Sequence, residues 1–158
     1  MRGAIRDGEE VAAIVLPEDA SLAFIGVIRT PFKTREDCPR QGRIDGPECM
    51  LVLKEEWTPA LEGLAAYERI EVLYWLDRSR RDFLIQRPKC DGPRYGTFAL
   101  RSPNRPNPIG TSLVRLEGIH GNKVVVRGLD CIDGTPLLDL KPDRCAFVPK
   151  ASHKEADK

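Results

Sequence analysis

Beyond Leu22 the apolar residues of this chain come in short bursts, alternating or continuous, and almost every burst is closed by Gly, Pro, Asn or Asp. Long amphipathic helices need apolar residues repeating three and four apart over many turns, and that pattern is missing, so the chain is constrained to an antiparallel all-β domain. The bursts predict strands over 23–29, 50–53, 70–76, 83–85, 97–100, 112–119, 123–127 and 137–140. Two of them meet across His120, Gly121 and Asn122, a tight-turn sequence, so 112–127 reads as a hairpin. One helix is expected from Thr58 and Pro59, with Thr as N-cap and Pro at the first helical position. Ala60, Leu61, Leu64 and Ala65 continue it at helical spacing towards Tyr67.

An open sheet of so many strands would leave long unpaired edges, which closure removes. The expected fold is therefore mostly β, a small antiparallel β-barrel with one or two short helices, although periodicity alone does not separate a barrel from a sandwich. With 158 residues, one domain is expected. Its limits are read as 21–145, preceded by an N-terminal extension (1–20) and followed by a polar tail (146–158), both adaptable or frayed.

Charge and cysteine usage narrow the setting. The 25 Lys and Arg residues nearly balance the 24 Asp and Glu, so any nucleic-acid face has to be local. Five cysteines, an odd number with no C-x-x-C pair, read as reduced thiols rather than a disulfide framework or zinc site, and no metal is expected. The first ten residues are too charged for a signal peptide and the patch 11–16 is too short to span a bilayer. A soluble cytoplasmic protein, not attached to a membrane, is the expectation.

Three segments carry more than fold. In Arg101-Ser-Pro-Asn-Arg-Pro-Asn-Pro-Ile-Gly-Thr111, three closely spaced prolines forbid helix, so the stretch should be a stiff loop whose carbonyls and polar side chains face solvent or a ligand. Such a loop loses little entropy on binding, and Gly110 permits close backbone approach at its exit. In the segment 129–142, Asp133-Gly134 is a turn signal, and Asp130, Asp133 and Asp139 could bring carboxylates to a barrel mouth to meet an ammonium group or ribose hydroxyls. In the third, Ile25-Gly-Val-Ile-Arg-Thr-Pro-Phe32 reads as a buried strand stopped by proline, followed by Pro39-Arg40-Gln41 with no evident structural duty. No G-x-G-x-x-G turn follows a strand, which counts against a Rossmann nucleotide site.

Taken in this order, Ile-Gly-Val-Ile-Arg-Thr-Pro-Phe, Pro-Arg-Gln, Arg-Pro-Asn-Pro-Ile-Gly and Asp-Gly-Thr-Pro resemble the TsaA-like (TrmO) family over roughly residues 25–143. The resemblance implies a dimeric β-barrel methyltransferase that uses S-adenosylmethionine, bound near the subunit interface, to methylate N6 of threonylcarbamoyladenosine-37 in tRNA. It further implies cofactor contacts at Pro39, Arg40, Gln41, Asp77, Arg78, Arg101, Thr111, Cys131, Ile132, Asp133 and Gly134. Members often carry His-x-Trp where this chain has Arg69-Ile70-Glu71, and a His at Asp77. The first bacterial members described also extend beyond the barrel, where this sequence is expected to stop.

Methyl transfer from a sulfonium is an in-line displacement that needs alignment and dryness rather than a protein nucleophile. That agrees with a chain whose two histidines, His120 and His153, fall in a turn and in the polar tail. N6 of adenine is a poor nucleophile, and Asp133 or Asp139 is the expected proton acceptor. For RNA, the dense basic stretch around Phe83 and Tyr95 nominates Arg80, Arg81, Arg87 and Lys89, with Arg105 nearby, as contacts to the tRNA anticodon loop. A solvated charged loop, a SAM- or RNA-binding barrel without turnover, and a methyltransferase for a small molecule are the competing readings.

Overall fold

The computed structural model describes residues 4–13 and 19–143. These contain nine strands: β1 (Glu10–Val11), β2 (Gly26–Arg29), β3 (Glu48–Leu53), β4 (Arg69–Trp75), β5 (Phe83–Gln86), β6 (Tyr95–Gly96), β7 (Ile109–His120), β8 (Lys123–Arg127) and β9 (Pro136–Pro142). Six of them close an antiparallel barrel in the order β2-β3-β8-β7-β4-β9, and β1, β5 and β6 form a small separate sheet. The expected mostly-β barrel is the observed fold, and the sandwich alternative is excluded by the closure through β2–β9 and β4–β9 pairing.

Alternation along each strand decides which residues fill the interior. Ile70, Val72 and Tyr74 of β4 are buried while Arg69, Glu71, Leu73 and Trp75 turn outward, and Leu51, Leu53, Val114, Val124, Val126 and Leu137 complete the packed centre. A barrel of so few strands is filled by its own side chains, so ligands are met at its ends rather than down its axis. β7 is long enough to pair with β4 through its first half and with β8 through its second, and a register shift at Leu116/Gly118 bends it between the two. The predicted hairpin is present: β7 and β8 are joined by Gly121, at φ 61°, and Asn122, whose side-chain amide donates to Leu53 O at 2.7 Å.

Two local expectations are corrected. Instead of a helix starting at Thr58, a 3₁₀ helix spans Glu55–Leu61, with Lys54 rather than Thr58 at its N-cap, and a second spans Leu64–Ala66 after Gly63 at φ 82°. Pro59 lies inside the first 3₁₀ helix, where its missing N–H would break an α ladder. The break at Glu62 and Gly63 separates the two short helices, with Leu61 at the end of the first and Leu64 at the start of the second both laid against the core. The predicted strand 97–100 is also a 3₁₀ turn, Thr97–Ala99. Buried Thr97 donates its hydroxyl to Phe83 O (2.8 Å) and accepts from Gln86 Nε2 (3.0 Å), which turns the chain there, and Phe98 is left 84% exposed. The N-terminal extension is not wholly loose: β1 pairs with β5, and Glu9 accepts from Arg87 N at 2.8 Å. The predicted polar tail (146–158), with His153, lies outside the described residues.

Candidate functional site

Because all barrel neighbours are antiparallel, the C-terminal ends of β2, β4 and β8 share one rim with the N-terminal ends of β3, β7 and β9. Every segment singled out in the sequence leaves or enters at that rim. Residues 30–47 follow β2, 76–82 follow β4, the proline segment precedes β7, and 128–135 join β8 to β9. The proline segment and the Asp-Gly turn flank the same strand end, since Tyr74 near the end of β4 faces Gly110 on one side and Leu137 on the other.

A buried tyrosine organises this rim. The Tyr74 hydroxyl donates to Asp130 Oδ1 at 2.8 Å and lies 2.9 Å from Ser112 Oγ. Burial, reinforced by the Asp130 charge, pushes the phenol far above its ordinary range, so it stays protonated and donating. The ring packs flat against Gly110, where an added Cβ would stand 2.1 Å from a ring carbon, which is the close approach expected of that glycine. The other Asp130 oxygen accepts from Gly42 N at 3.3 Å, and Gly42 itself is pressed so closely on the Gly128 carbonyl that a Cβ would fall 1.7 Å from its oxygen.

Asp133 is the second organiser. Its Oδ1 accepts from Thr30 N at 3.1 Å, and its Oδ2 pairs with Lys33 Nζ at 2.9 Å and with Arg29 at 3.7 Å. The Lys33 hydrogen bond holds the carboxyl below the usual carboxylate range, with Thr30 N–H and the nearby positive charges adding to it. Asp133 N donates to Phe32 O (2.7 Å) and Gly134 N to Ile28 O (2.8 Å), so the turn is laced to the end of β2, with Gly134 at φ 85°. An open cleft of about 340 Å³ borders it, lined by Arg29, Lys33, Glu48, Met50 and Asp133. Cys131 is buried, and burial pushes its thiol up to about 12 and that of Cys49 up to about 11, so neither is a ready nucleophile.

Pro39, Arg40, Gln41, Asp77, Arg78 and Arg101 are exposed on this rim. Thr111 stands on the outer face of β7 and donates to Glu71 Oε1 at 2.8 Å, while Ile132 is half-buried beside Asp133. Asp139 is set apart from Asp133, within β9 opposite Leu73, and pairs with Lys141 at 2.7 Å. The expectation that the carbonyls and polar side chains of the proline segment face solvent or a ligand holds for Arg101 and Asn107, which are exposed, and is corrected for the rest. Asn104 Oδ1 accepts from Arg80 N (3.1 Å), Pro108 O from Leu76 N (2.8 Å), Pro106 O from Arg81 Nε (2.6 Å), and Arg105 donates to Thr97 O and Leu100 O. A segment poor in N–H donors can still be fastened through its carbonyls, and the neighbouring arginines do the fastening.

The basic cluster is likewise partly turned inward. Arg80 makes a two-pronged pair with Asp82 and covers the Phe83 ring, with its side chain only 14% exposed, and Arg81 lies over Trp75. The Arg87 guanidinium donates to Cys90 O at 3.3 Å and its backbone N–H to Glu9 Oε1 at 2.8 Å, and Arg94 pairs with Glu10. Lys89 is exposed. Tyr74, Ser112, Gly42, Arg29 and Lys33 were not singled out in the sequence. Tyr74 carried a signal, because a tyrosine on the inward face of an aliphatic strand needs a partner for its hydroxyl.

The family model for the tRNA-methyltransferase O N-terminal domain matches residues 27–149, the barrel and its rim loops together. The chain belongs to this family. A probable S-adenosyl-L-methionine-binding protein, VirR, from Rhizobium radiobacter is 57% identical, covering 88% of this chain and 81% of the relative. A tRNA (adenine(37)-N6)-methyltransferase from Mus musculus is 33% identical over 75% of this chain but 29% of its own length. The crystal structure of TrmO from Pseudomonas aeruginosa superposes with a TM-score of 0.67 at 32% identity, covering 87% of this chain and 63% of that one. The chain thus spans 29% of the mouse relative and 63% of the Pseudomonas structure, less than two thirds of each. Among the described residues, no group of three or more His, Cys, Asp or Glu side chains could hold a metal, and no helix is long and apolar enough to cross a membrane.

Proposed function

We propose that this chain is an S-adenosylmethionine-dependent methyltransferase that acts on N6 of adenosine-37 in tRNA, with the threonylcarbamoylated base as acceptor. The observation that carries the proposal is the gathering of four separate segments on one barrel rim, in a member of a family whose relatives bear SAM-binding and tRNA-methyltransferase names. The rim fits the cofactor chemically: exposed Arg40, Gln41 and Arg78 offer donors, and Asp77 and Asp133 offer carboxylates for an ammonium group or ribose hydroxyls. Pro39, Arg101, Thr111, Cys131, Ile132 and Gly134 complete the set of proposed contacts, Cys131 through its backbone.

When bound, S-adenosylmethionine supplies an electrophilic methyl group on a sulfonium. The protein's task is then to orient the acceptor nitrogen and keep water out. Asp133, kept ionised by Lys33 and Arg29, is a weak base. A weak base is enough, because the methylated nitrogen is cationic and sheds its proton readily, so Asp133 or Asp139 remains the proposed acceptor. Thr111 lies on the outer face of β7 between the exposed apolar Ile109 and Leu113, which supports a homodimer with the cofactor site beside its interface. Lys89, Arg81 and Arg78 are the proposed approach surface for the anticodon loop, and the cytoplasm, where tRNA is modified, the proposed location.

A second reading, methyl transfer to a small molecule, is favoured by the internal neutralisation of Arg80 and Arg94. Incubation with methyl-labelled S-adenosylmethionine and bulk tRNA, followed by nucleoside mass spectrometry, tests the proposal. One added methyl on threonylcarbamoyladenosine is expected. Cofactor binding without any label in tRNA would overturn the tRNA reading and favour the second.

A further inference from the structure

We propose that Asp130 is the positioning residue that sets the loop 39–41 for the cofactor, acting through the backbone of Gly42. The inference rests on the reading of residues 39–41 as cofactor contacts. The loop has two anchors. At its start Asp37 accepts from Lys33 N (3.1 Å) and Thr34 N (2.9 Å), closing a local turn, while Pro39, Arg40 and Gln41 expose their side chains. At its end, Gly42 N donates to Asp130 Oδ2 and Gly42 packs on the Gly128 carbonyl. Lys33 pairs with Asp133 near the start of the 30–47 connection and Arg127 donates to Gly46 O near its end, but it is the Gly42 anchor that lies directly beside residues 39–41.

Asp130 is itself held in place. Its other oxygen takes the Tyr74 hydroxyl from β4 and lies 3.4 Å from Ser112 Oγ on β7. One carboxylate therefore joins the 30–47 connection, β4, β7 and the 128–135 connection, and transmits the barrel's rigidity to an otherwise exposed loop. Preorganising a loop improves ligand affinity by removing the ordering cost at the moment of binding.

The test compares Asp130→Ala, Asp130→Asn and Tyr74→Phe with the wild-type protein, by calorimetry with S-adenosylmethionine and by hydrogen exchange at the Gly42 amide. Asp130→Ala should weaken binding by about tenfold or more and speed Gly42 exchange by a similar factor. Asp130→Asn should bring both back to within about threefold of wild type. Its amide oxygen can accept from Gly42 N while its NH₂ donates to the Tyr74 oxygen, whose hydroxyl then donates to Ser112 Oγ. Tyr74→Phe, which keeps the Asp130–Gly42 bond but frees Asp130 from β4, should lower thermal stability and weaken binding by less than Asp130→Ala. If Asp130→Ala does not fold, the test is carried by Asp130→Asn and Tyr74→Phe, in which any loss of affinity should be matched by faster exchange at the Gly42 amide. A loss of affinity with Gly42 exchange unchanged would overturn the positioning role.

Unchanged binding in Asp130→Ala, or a loss in Tyr74→Phe equal to that in Asp130→Ala, would overturn the positioning role. An Asn variant as weak as Ala would do the same, because charge rather than loop anchoring would then be at work. A wild-type protein that does not bind S-adenosylmethionine would instead overturn the reading of the site, a result distinguishable from all of these.

Discussion

Gly110→Ala is the sharpest probe of how the rim is built. In open surroundings the change would stabilise the protein by about 0.4–1 kcal/mol, by reducing the freedom of the unfolded chain. Here the new methyl group would stand 2.1 Å from one carbon of the Tyr74 ring and 2.6 Å from two others. Carbon atoms pack at about 3.5–4.0 Å, so the ring has to retreat by roughly 1.5 Å. Its hydroxyl, held at 2.8 Å by Asp130 and 2.9 Å from Ser112, would then lie beyond hydrogen-bonding range. Overpacking costs about 1–3 kcal/mol, and a hydrogen bond to a charged group contributes about 1.5–3 kcal/mol, so a net loss of about 3 kcal/mol is expected. For 158 residues that lowers Tm by about 6–12 °C. The assay is a double-mutant cycle by urea denaturation with Tyr74→Val. Once the ring is gone the extra methyl has room, so the two losses should not add, and a coupling energy of about 2 kcal/mol or more is expected. Additivity within about 0.5 kcal/mol would show that the ring and the glycine do not restrain each other.

Asp133→Asn should reduce stability only where the native carboxylate is charged. Its folded pKa is lowered, so its contribution is full above the unfolded value of about 3.9 and vanishes as pH falls through the folded one. The Tm difference between wild type and variant, equivalent to at most about 1 kcal/mol at pH 7, should therefore disappear near pH 2; a constant difference would refute the ion-pair account. In peptide mapping after iodoacetamide treatment of native protein, exposed Cys90 should be alkylated while buried Cys49 and Cys131 are spared until denaturant is added. Rapid labelling of Cys131 would contradict its burial. Lys89→Glu should weaken tRNA binding in a gel-shift assay with little change in Tm, whereas Arg80→Glu should lower Tm because it breaks the Asp82 pair and the Phe83 stack. The opposite pattern would argue against the proposed surface.

Much of the barrel was legible before any coordinate. Alternation in Ile70-Glu71-Val72 marks an inward and an outward face, the continuous Val124 to Val126 run marks a strand, and Gly121-Asn122 marks the hairpin, because these are local properties of pleat and turn. The proline segment and the Asp-Gly turn could also be singled out, since fixed φ and turn chemistry are written in single residues. Local pattern failed at Thr97, where two hydrogen bonds from distant residues chose a turn over a strand, and around Pro59, where packing of Leu61 selected the tighter helix. Which arginines face outward was equally beyond it: Arg80 and Lys89 have the same charge, and only the position of Asp82 and Phe83 distinguishes them. The sequence by itself determined the six barrel strands, the inward face of β4 and the stiff loops. Bringing Asp130 to Tyr74, Gly42 and Ser112, residues between 18 and 88 positions away along the chain, was decided only by barrel closure, because register and strand order are set by the sum of many cross-strand contacts that no single stretch contains.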